Sequence, residues 1–342
     1  MCQVALPPTI SRRRFLTLGA AAGVSALLTA CRNTSGTGAF GRNPDTFSPL
    51  PPGSPSLAGP VAAAEDATLT IQAPVGAHTL ARPATARLYD PNGDDLKRLP
   101  PEAGVLAWLE GGDPTAERII ALQQLPPLAA TGDIPAELPA QPAPTGETRS
   151  LGRLTLITRP GWGAAPPQWS PAGEAPFDAQ TNPAGYLTYP EPLAPWLTTL
   201  VVHHAALEFH HGPRTIQRLH ILRKGYADVA YHFFIDGLGQ LYEGRPLAAR
   251  GAHTGGYNTG TVGVCLLGNF ELIPSLQAQL DTLQALASTL GREYALTHLA
   301  GHRDFQPEAT VCPGENLWSA LPAVAAASGL AYGTAGYRPP PW

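Results

Sequence analysis

Two stretches of the chain, far apart in sequence, carry side chains that ligate metals. The first is Leu200-Val201-Val202-His203-His204, an apolar run that ends on paired histidines. The second is Gly301-His302-Arg303-Asp304, followed by Cys312-Pro313-Gly314. One imidazole from the first stretch, with the His302 imidazole and the Cys312 thiol, makes a nitrogen, nitrogen, sulfur donor set. That set suits zinc, which in catalytic sites takes three protein ligands and leaves a fourth position for water. Cys312 must be a thiolate to bind, and the cation itself lowers the thiol pKa enough to make it one. The chemistry expected of such a centre is hydrolysis. Neighbouring residues of a strand face opposite sides of a sheet, so His203 and His204 do not both reach one ion. Spacing alone leaves open which of them binds.

The elements around these stretches read as a sheet with helices packed on its faces. Thr198 to His203 is a predicted strand. Thr215 is the expected cap of a helix through Arg223, with Ile216, Leu219 and Leu222 at core spacing. Tyr231 to Ile235 is a strand, Asp236-Gly237 opens a tight turn, and Gln240 to Glu243 returns. Val262 to Leu267 reads as a buried strand. Ser275 to Glu293 is the clearest helix, with Leu276, Leu280, Leu283, Leu286 and Leu290 on one stripe. A last helix is expected after Asn316, ended or kinked by Pro322. Together these elements predict an α/β domain over residues 151–330, with a central mixed sheet flanked by helices.

The rest of the chain is less regular. With 36 Gly and 38 Pro in 342 residues, much of it reads as loop or linker, and the net charge of −4 gives no footprint for nucleic acid. Residues 1–31 read as an export signal. Ser11-Arg12-Arg13-Arg14-Phe15-Leu16 matches a twin-arginine motif, and a mildly apolar run from Phe15 to Ala30 follows. That run is too short and weak for a comfortable membrane span. It ends in Leu28-Thr29-Ala30-Cys31, which resembles a lipobox, so Cys31 is the expected lipidation site and the anchor to a membrane. Residues 32–60 are expected to be a disordered tether. In residues 61–125, Thr68–Ile71 and Ala86–Tyr89 suggest short strands, and Ala116–Leu125 has helix-like spacing at Ile119, Ile120 and Leu122. No fold or function is assigned to this region. Residues 126–150 read as a linker, and the tail 331–342 carries no signal. Of four cysteines, Cys2 lies in the signal and Cys265 in an apolar strand, so no structural disulfide is expected.

Further motifs run in order through residues 159–321. They are Arg159-Pro160-Gly161-Trp162-Gly163-Ala164; Ala230-Tyr231-His232-Phe233; Tyr242-Glu243-Gly244-Arg245-Pro246; and Gly251-Ala252-His253 with Tyr257-Asn258, Val262-Gly263-Val264 and Gly268-Asn269-Phe270. With the two ligand stretches, they resemble the peptidoglycan recognition protein and type 2 N-acetylmuramoyl-L-alanine amidase family. The resemblance implies a zinc amidase that cuts between N-acetylmuramic acid and L-alanine in peptidoglycan. It implies His203, His302 and Cys312 as the ligands, with His204 beside them as a packing residue. It implies Tyr231 as donor to the developing oxyanion and Thr310 as an assisting residue. It implies His253, Tyr257, Asn258 and Arg245 as substrate contacts. Relatives with a glutamate base carry it where this chain has Cys265.

A second reading is a binding-only recognition protein. Such members typically lose a ligand, often the cysteine, whereas this chain keeps all three. A third is a zinc amidase for a different amide.

Overall fold

A computed structural model describes residues 50–100, 103–126, 134–135, 138, 141–168 and 187–338. The twin-arginine motif, Cys31 and the tether up to residue 49 lie outside the described residues. Among the described residues no helix is long and apolar enough to cross a membrane.

The first surprise is in the unassigned region, which is a sheet. Its strands are β1 (Leu57–Ala64), β2 (Thr68–Gln72), β3 (Ala77–Ala81), β4 (Arg87–Tyr89), β5 (Gly104–Leu109) and β6 (Ile119–Gln124). They run in the order β3-β2-β1-β5-β6-β4, antiparallel except for the β4–β6 pair. Two expectations change here. The tether does not extend to residue 60, because Leu57 to Pro60 pair with β5. Nor is Ala116–Leu125 a helix. Ile119 and Ala121 are buried while Ile120 between them is exposed, which is the period of a strand. Flanking strands on both sides give this β-branched run its hydrogen bonds.

The second sheet holds β7 (Thr148–Leu151), β8 (Leu154–Ile157), β9 (Thr199–His204), β10 (Phe233–Ile235), β11 (Leu241–Glu243), β12 (Thr261–Leu266), β13 (His298–Gly301) and β14 (Ala331–Tyr332). Its order is β14-β13-β9-β12-β10-β11-β8-β7. The five strands from β14 to β10 are mutually parallel, and antiparallel pairs join β10 to β11 and β8 to β7. The central strands β9 and β12 are buried along their whole length, as expected of parallel strands covered on both faces. The expected central mixed sheet is therefore present. The stretch read as linker contributes β7, and the tail contributes β14.

Helices cover both faces. On one lie α1 (Arg159–Trp162) and α2 (Pro213–Arg218), which continues as a wider turn through Arg223. Trp162 and Ile216 pack there with Phe234, Tyr242 and Cys265. The cap of α2 is Gly212, with Pro213 in the first turn, rather than Thr215. On the other face lie α3 (Gln277–Tyr294), then the short α4 (His302–Phe305) and α5 (Glu315–Trp318), and α6 (Leu321–Ser328). Leu283, Leu286 and Leu290 of α3 pack with Leu321 and Val324 of α6. Pro322 sits in the first turn of α6, where a missing N–H costs nothing, so it starts this helix instead of ending it.

The two sheets share a core and a backbone seam. Ala58, Leu106, Trp108 and Ala121 of the first belong to the same buried cluster as Phe209, Phe270 and Leu276. Ala58 N donates to Gly237 O at 2.9 Å. A Cβ at Gly237 would collide with the Ala58 carbonyl, so this close approach needs a glycine. No side chain caps α3. Its first-turn N–H groups at Gln277 and Ala278 instead donate to the carbonyls of Pro55 and Ser56, at 3.0 and 2.9 Å.

Candidate metal centre

Strands β9 and β13 are paired in parallel, with Gly301 beside Val202. Their carboxyl ends therefore lie side by side, where ligand sites of parallel sheets collect. β9 ends on His203 and His204, and β13 hands directly to His302 at the start of α4. Arg303 and Asp304 fix the third segment. Arg303 N donates to Cys312 O at 2.8 Å, its guanidinium reaches Glu315 at 2.8 Å, and it lies over the Trp318 ring. Asp304 accepts from Gly301 N at 2.7 Å, and from Trp318 Nε1 and Tyr332 Oη at 2.8 Å each. Gly314, at φ 92°, lets the loop turn close against Phe270.

The result is that ligand atoms of His203, His302 and Cys312 all lie within 4.8 Å of one another. Cys312 Sγ is 3.6 Å from His203 Nδ1. His302 Nε2 is engaged by Gln306 Oε1 at 2.9 Å, which leaves Nδ1 for an ion. The chemistry of the set fits zinc. Burial, then His253 and His302 close by, hold His203 well below the ordinary histidine range. Burial lowers His302 as well. Both imidazoles are thus neutral, as ligands must be. Burial pushes the Cys312 thiol up to about 12, against the His204 N–H that favours the thiolate. A thiolate here requires a cation beside it.

His204 faces the opposite side. Its Nδ1 accepts from Phe270 N at 3.3 Å, and burial lowers it to about 4. The Tyr231 ring lies 5.0 Å from that of His203. Burial, with the thiols of Cys265 and Cys312 nearby, raises its phenol well above the usual range, so the proton stays on. Thr310 Oγ1 accepts from Cys312 N at 3.1 Å and so shapes the ligand loop.

Of the expected substrate contacts, Arg245, His253 and Asn258 are buried among protein groups. Arg245 is 1% exposed and donates to the carbonyls of Val229 and Arg250. Asn258 Oδ1 accepts from the N–H groups of His253 and Thr254 at 2.7 Å each. His253 is buried behind His203. The bonds of Arg245 and Asn258 hold neighbouring backbone in place, while His253 Nε2 is buried without a hydrogen-bond partner. Tyr257, at 36%, is the exposed one of the four. It packs with Phe305, 5.0 Å away, and with Tyr337, 5.6 Å away. Neither Phe305 nor Tyr337 stood out in the sequence, although Phe305 stands one turn after His302. The Arg159–Trp162 motif is structural. Arg159 pairs with buried Asp228 at 2.7 Å, and Trp162 Nε1 donates to Glu243 O at 2.7 Å.

A family profile described as N-acetylmuramoyl-L-alanine amidase (Amidase_2) matches residues 193–315. Peptidoglycan-recognition protein SC2 of Drosophila simulans is 33% identical over 139 residues, 38% of this chain and 74% of that protein. Peptidoglycan recognition protein 1 of Mus musculus is 32% identical over 133 residues, 36% and 72% of the two chains. Among solved structures, the amidase LysC of Clostridium intestinale is 31% identical, covering 39% of this chain and 86% of that one, with a TM-score of 0.37. Drosophila peptidoglycan recognition protein SD is 27% identical over 50% and 94%, with a TM-score of 0.40. On the match to the family profile and to the two recognition proteins, the chain belongs to the Amidase_2 and peptidoglycan-recognition protein family.

Proposed function

We propose that this protein is a zinc-dependent N-acetylmuramoyl-L-alanine amidase of cell-wall peptidoglycan. The observation that carries the reading is the convergence of two neutral imidazoles and a thiol within 4.8 Å. When bound, zinc supplies Lewis acidity, polarising the amide carbonyl and lowering the pKa of a water toward ~7. His203 and His302 would hold it through Nδ1, each with Nε2 tied back by a neighbour. Such ties fix ring orientation and tautomer. Tyr231, still protonated, donates to the carbonyl oxygen as charge develops on it. Thr310 keeps the Cys312 loop in shape. Tyr257, Phe305 and Tyr337 form an aromatic wall beside His302 for the muramyl-peptide.

The sequence adds a location to this reading. Twin-arginine export would deliver a folded domain, and a lipid on Cys31 would tether it to the cell envelope. Mass spectrometry of the mature N-terminus tests that part.

The activity is tested by loading the full chain with zinc and analysing digested muropeptides. The expected result is about one zinc per chain and release of L-alanyl peptides. Cys312→Ala abolishes turnover and weakens metal binding. Zinc-loaded protein that leaves the amide intact while still binding muropeptides would establish the binding-only reading instead.

A further inference from the structure

The amidase reading uses the ligand cluster but gives the six-stranded sheet nothing to do. Between that sheet and the loops that leave the ligand strands lies a cavity of about 280 Å³. Gln124 and Leu125 line it from the first sheet, and Glu208, Phe209, His210 and Asn269 from the second. These loops are continuous with the metal centre. The chain from Ala205 to His211 leaves His204 directly, and Ala206 N donates to Gly268 O at 3.0 Å. Phe270 N donates to His204 Nδ1, and Phe270 O accepts from Asn316 N at 3.1 Å, just beyond the Cys312 loop. The cavity-lining loops thus start at the C-terminal ends of β9 and β12, the end of the sheet at which the ligand cluster lies.

The lining selects a chemistry. The Gln124 side-chain amide has no partner among the described residues. Asn269 spends its oxygen on Glu271 N at 3.2 Å and keeps its NH₂. The Glu208 carboxylate lies 3.1 Å from His210 Nδ1. Among the described residues no Lys or Arg lines the space, so the carboxylate ends of a stem peptide meet Glu208 there without a counter-charge. A ring carrying hydroxyls and an acetamide fits better. Side-chain amides donate and accept, and Phe209 and Leu125 offer apolar faces. Sites of this kind, mostly apolar with a few aimed polar groups, favour domain interfaces.

We infer that this cavity is a subsite for one N-acetylated hexosamine ring of the glycan strand whose muramyl residue is cut at the metal centre. The inference rests on the amidase reading for the identity of the strand. The six-stranded sheet then supplies one wall of the substrate groove.

The test separates sugar binding from turnover. Chitotetraose, an N-acetylglucosamine tetramer with no peptide, is titrated into the full chain by calorimetry. Gln124→Ala and Asn269→Ala each weaken binding roughly fivefold, the worth of one hydrogen bond. Gln124→Trp, which fills the cavity, abolishes it. Unchanged circular dichroism and melting establish that the variants fold, and Asn269 reads the opposite wall should Gln124 not tolerate change. In kinetics, Gln124→Ala raises KM for long glycan strands by the same factor, with kcat and the KM for a single muramoyl-peptide unchanged. Failure of chitotetraose to bind, or equal affinity in wild type and variants, overturns the subsite. So does loss of free stem-peptide binding with the sugar unaffected. A Gln124-dependent sugar affinity in a protein without amidase activity keeps the subsite and removes the amidase reading.

Discussion

His203 Nε2 lies 3.0 Å from His253 Nδ1. With the other His203 nitrogen turned to Cys312, Nε2 must carry the proton, and His253 Nδ1 and Thr254 Oγ1 are its acceptors. His253 can accept because it is neutral; burial, then His232 close by, hold it well below the ordinary range. Its ring packs where side chains on Gly251 and Gly263 would stand. His253 is therefore a positioning residue for the first ligand. His253→Ala should weaken zinc affinity by about 10–100-fold, as for loss of a ligand's hydrogen-bond partner. Competition against a chelator measures this. Affinity equal to wild type would return His253 to a substrate-binding role.

Tyr231 meets the site differently. Its ring sits beside His203 and its phenol keeps its proton. Tyr231→Phe preserves the ring and removes only the donor. Zinc content should stay at wild-type level while kcat falls by roughly 10²–10³, the usual cost of one oxyanion donor. If kcat holds while KM rises, the phenol binds substrate and does not serve the transition state.

The turn beneath the inter-sheet seam carries a pH dependence. Asp236 Oδ1 accepts from Leu238 N and Gln240 N, and Oδ2 from Tyr242 Oη. Burial nonetheless raises its pKa from 3.8 to about 6. A folded-state pKa above the unfolded one means a contribution that is full below ~4 and lost as pH rises through ~6. The neutral Asp236→Asn lacks that loss. Relative to wild type it should gain about 2 kcal/mol between pH 4 and pH 7. Urea unfolding of both proteins at the two pH values reads the difference, and a pH-independent difference would mean that Asp236 titrates normally.

The three ligand stretches were legible because each is a local pattern with its own chemistry: an apolar strand ending in paired histidines, a Gly-His-Arg-Asp turn, a Cys-Pro-Gly loop; spacing did not choose between His203 and His204. Which neighbours face the groove was not legible. A polar residue near a site reads the same whether it is exposed, like Tyr257, or buried, like Arg245 and Asn258. The tail was opaque for another reason. Tyr332 acts on Asp304 and Tyr337 on Tyr257, contacts that no local spacing announces. In the first sheet, Ile119, Ile120 and Leu122 satisfied a helical template by coincidence. Only the partner strands decide that segment.

Those partner strands bear on how the molecule holds together. Leu106 in β5 is 3% exposed and belongs to the cluster shared with Phe209, Phe270 and Leu276. The first sheet also caps α3 through the Pro55 and Ser56 carbonyls. Unfolding the first sheet would expose one side of the shared core and orphan two buried-end N–H groups of the longest helix. The two sheets should therefore melt together. Leu106→Ala removes buried volume worth about 2–5 kcal/mol, and the expected calorimetric trace is one transition displaced to lower temperature as a whole. Two transitions, with only the lower one displaced, would mean that the second sheet stands without the first, and the shared core would then contribute little to the rigidity of the ligand cluster.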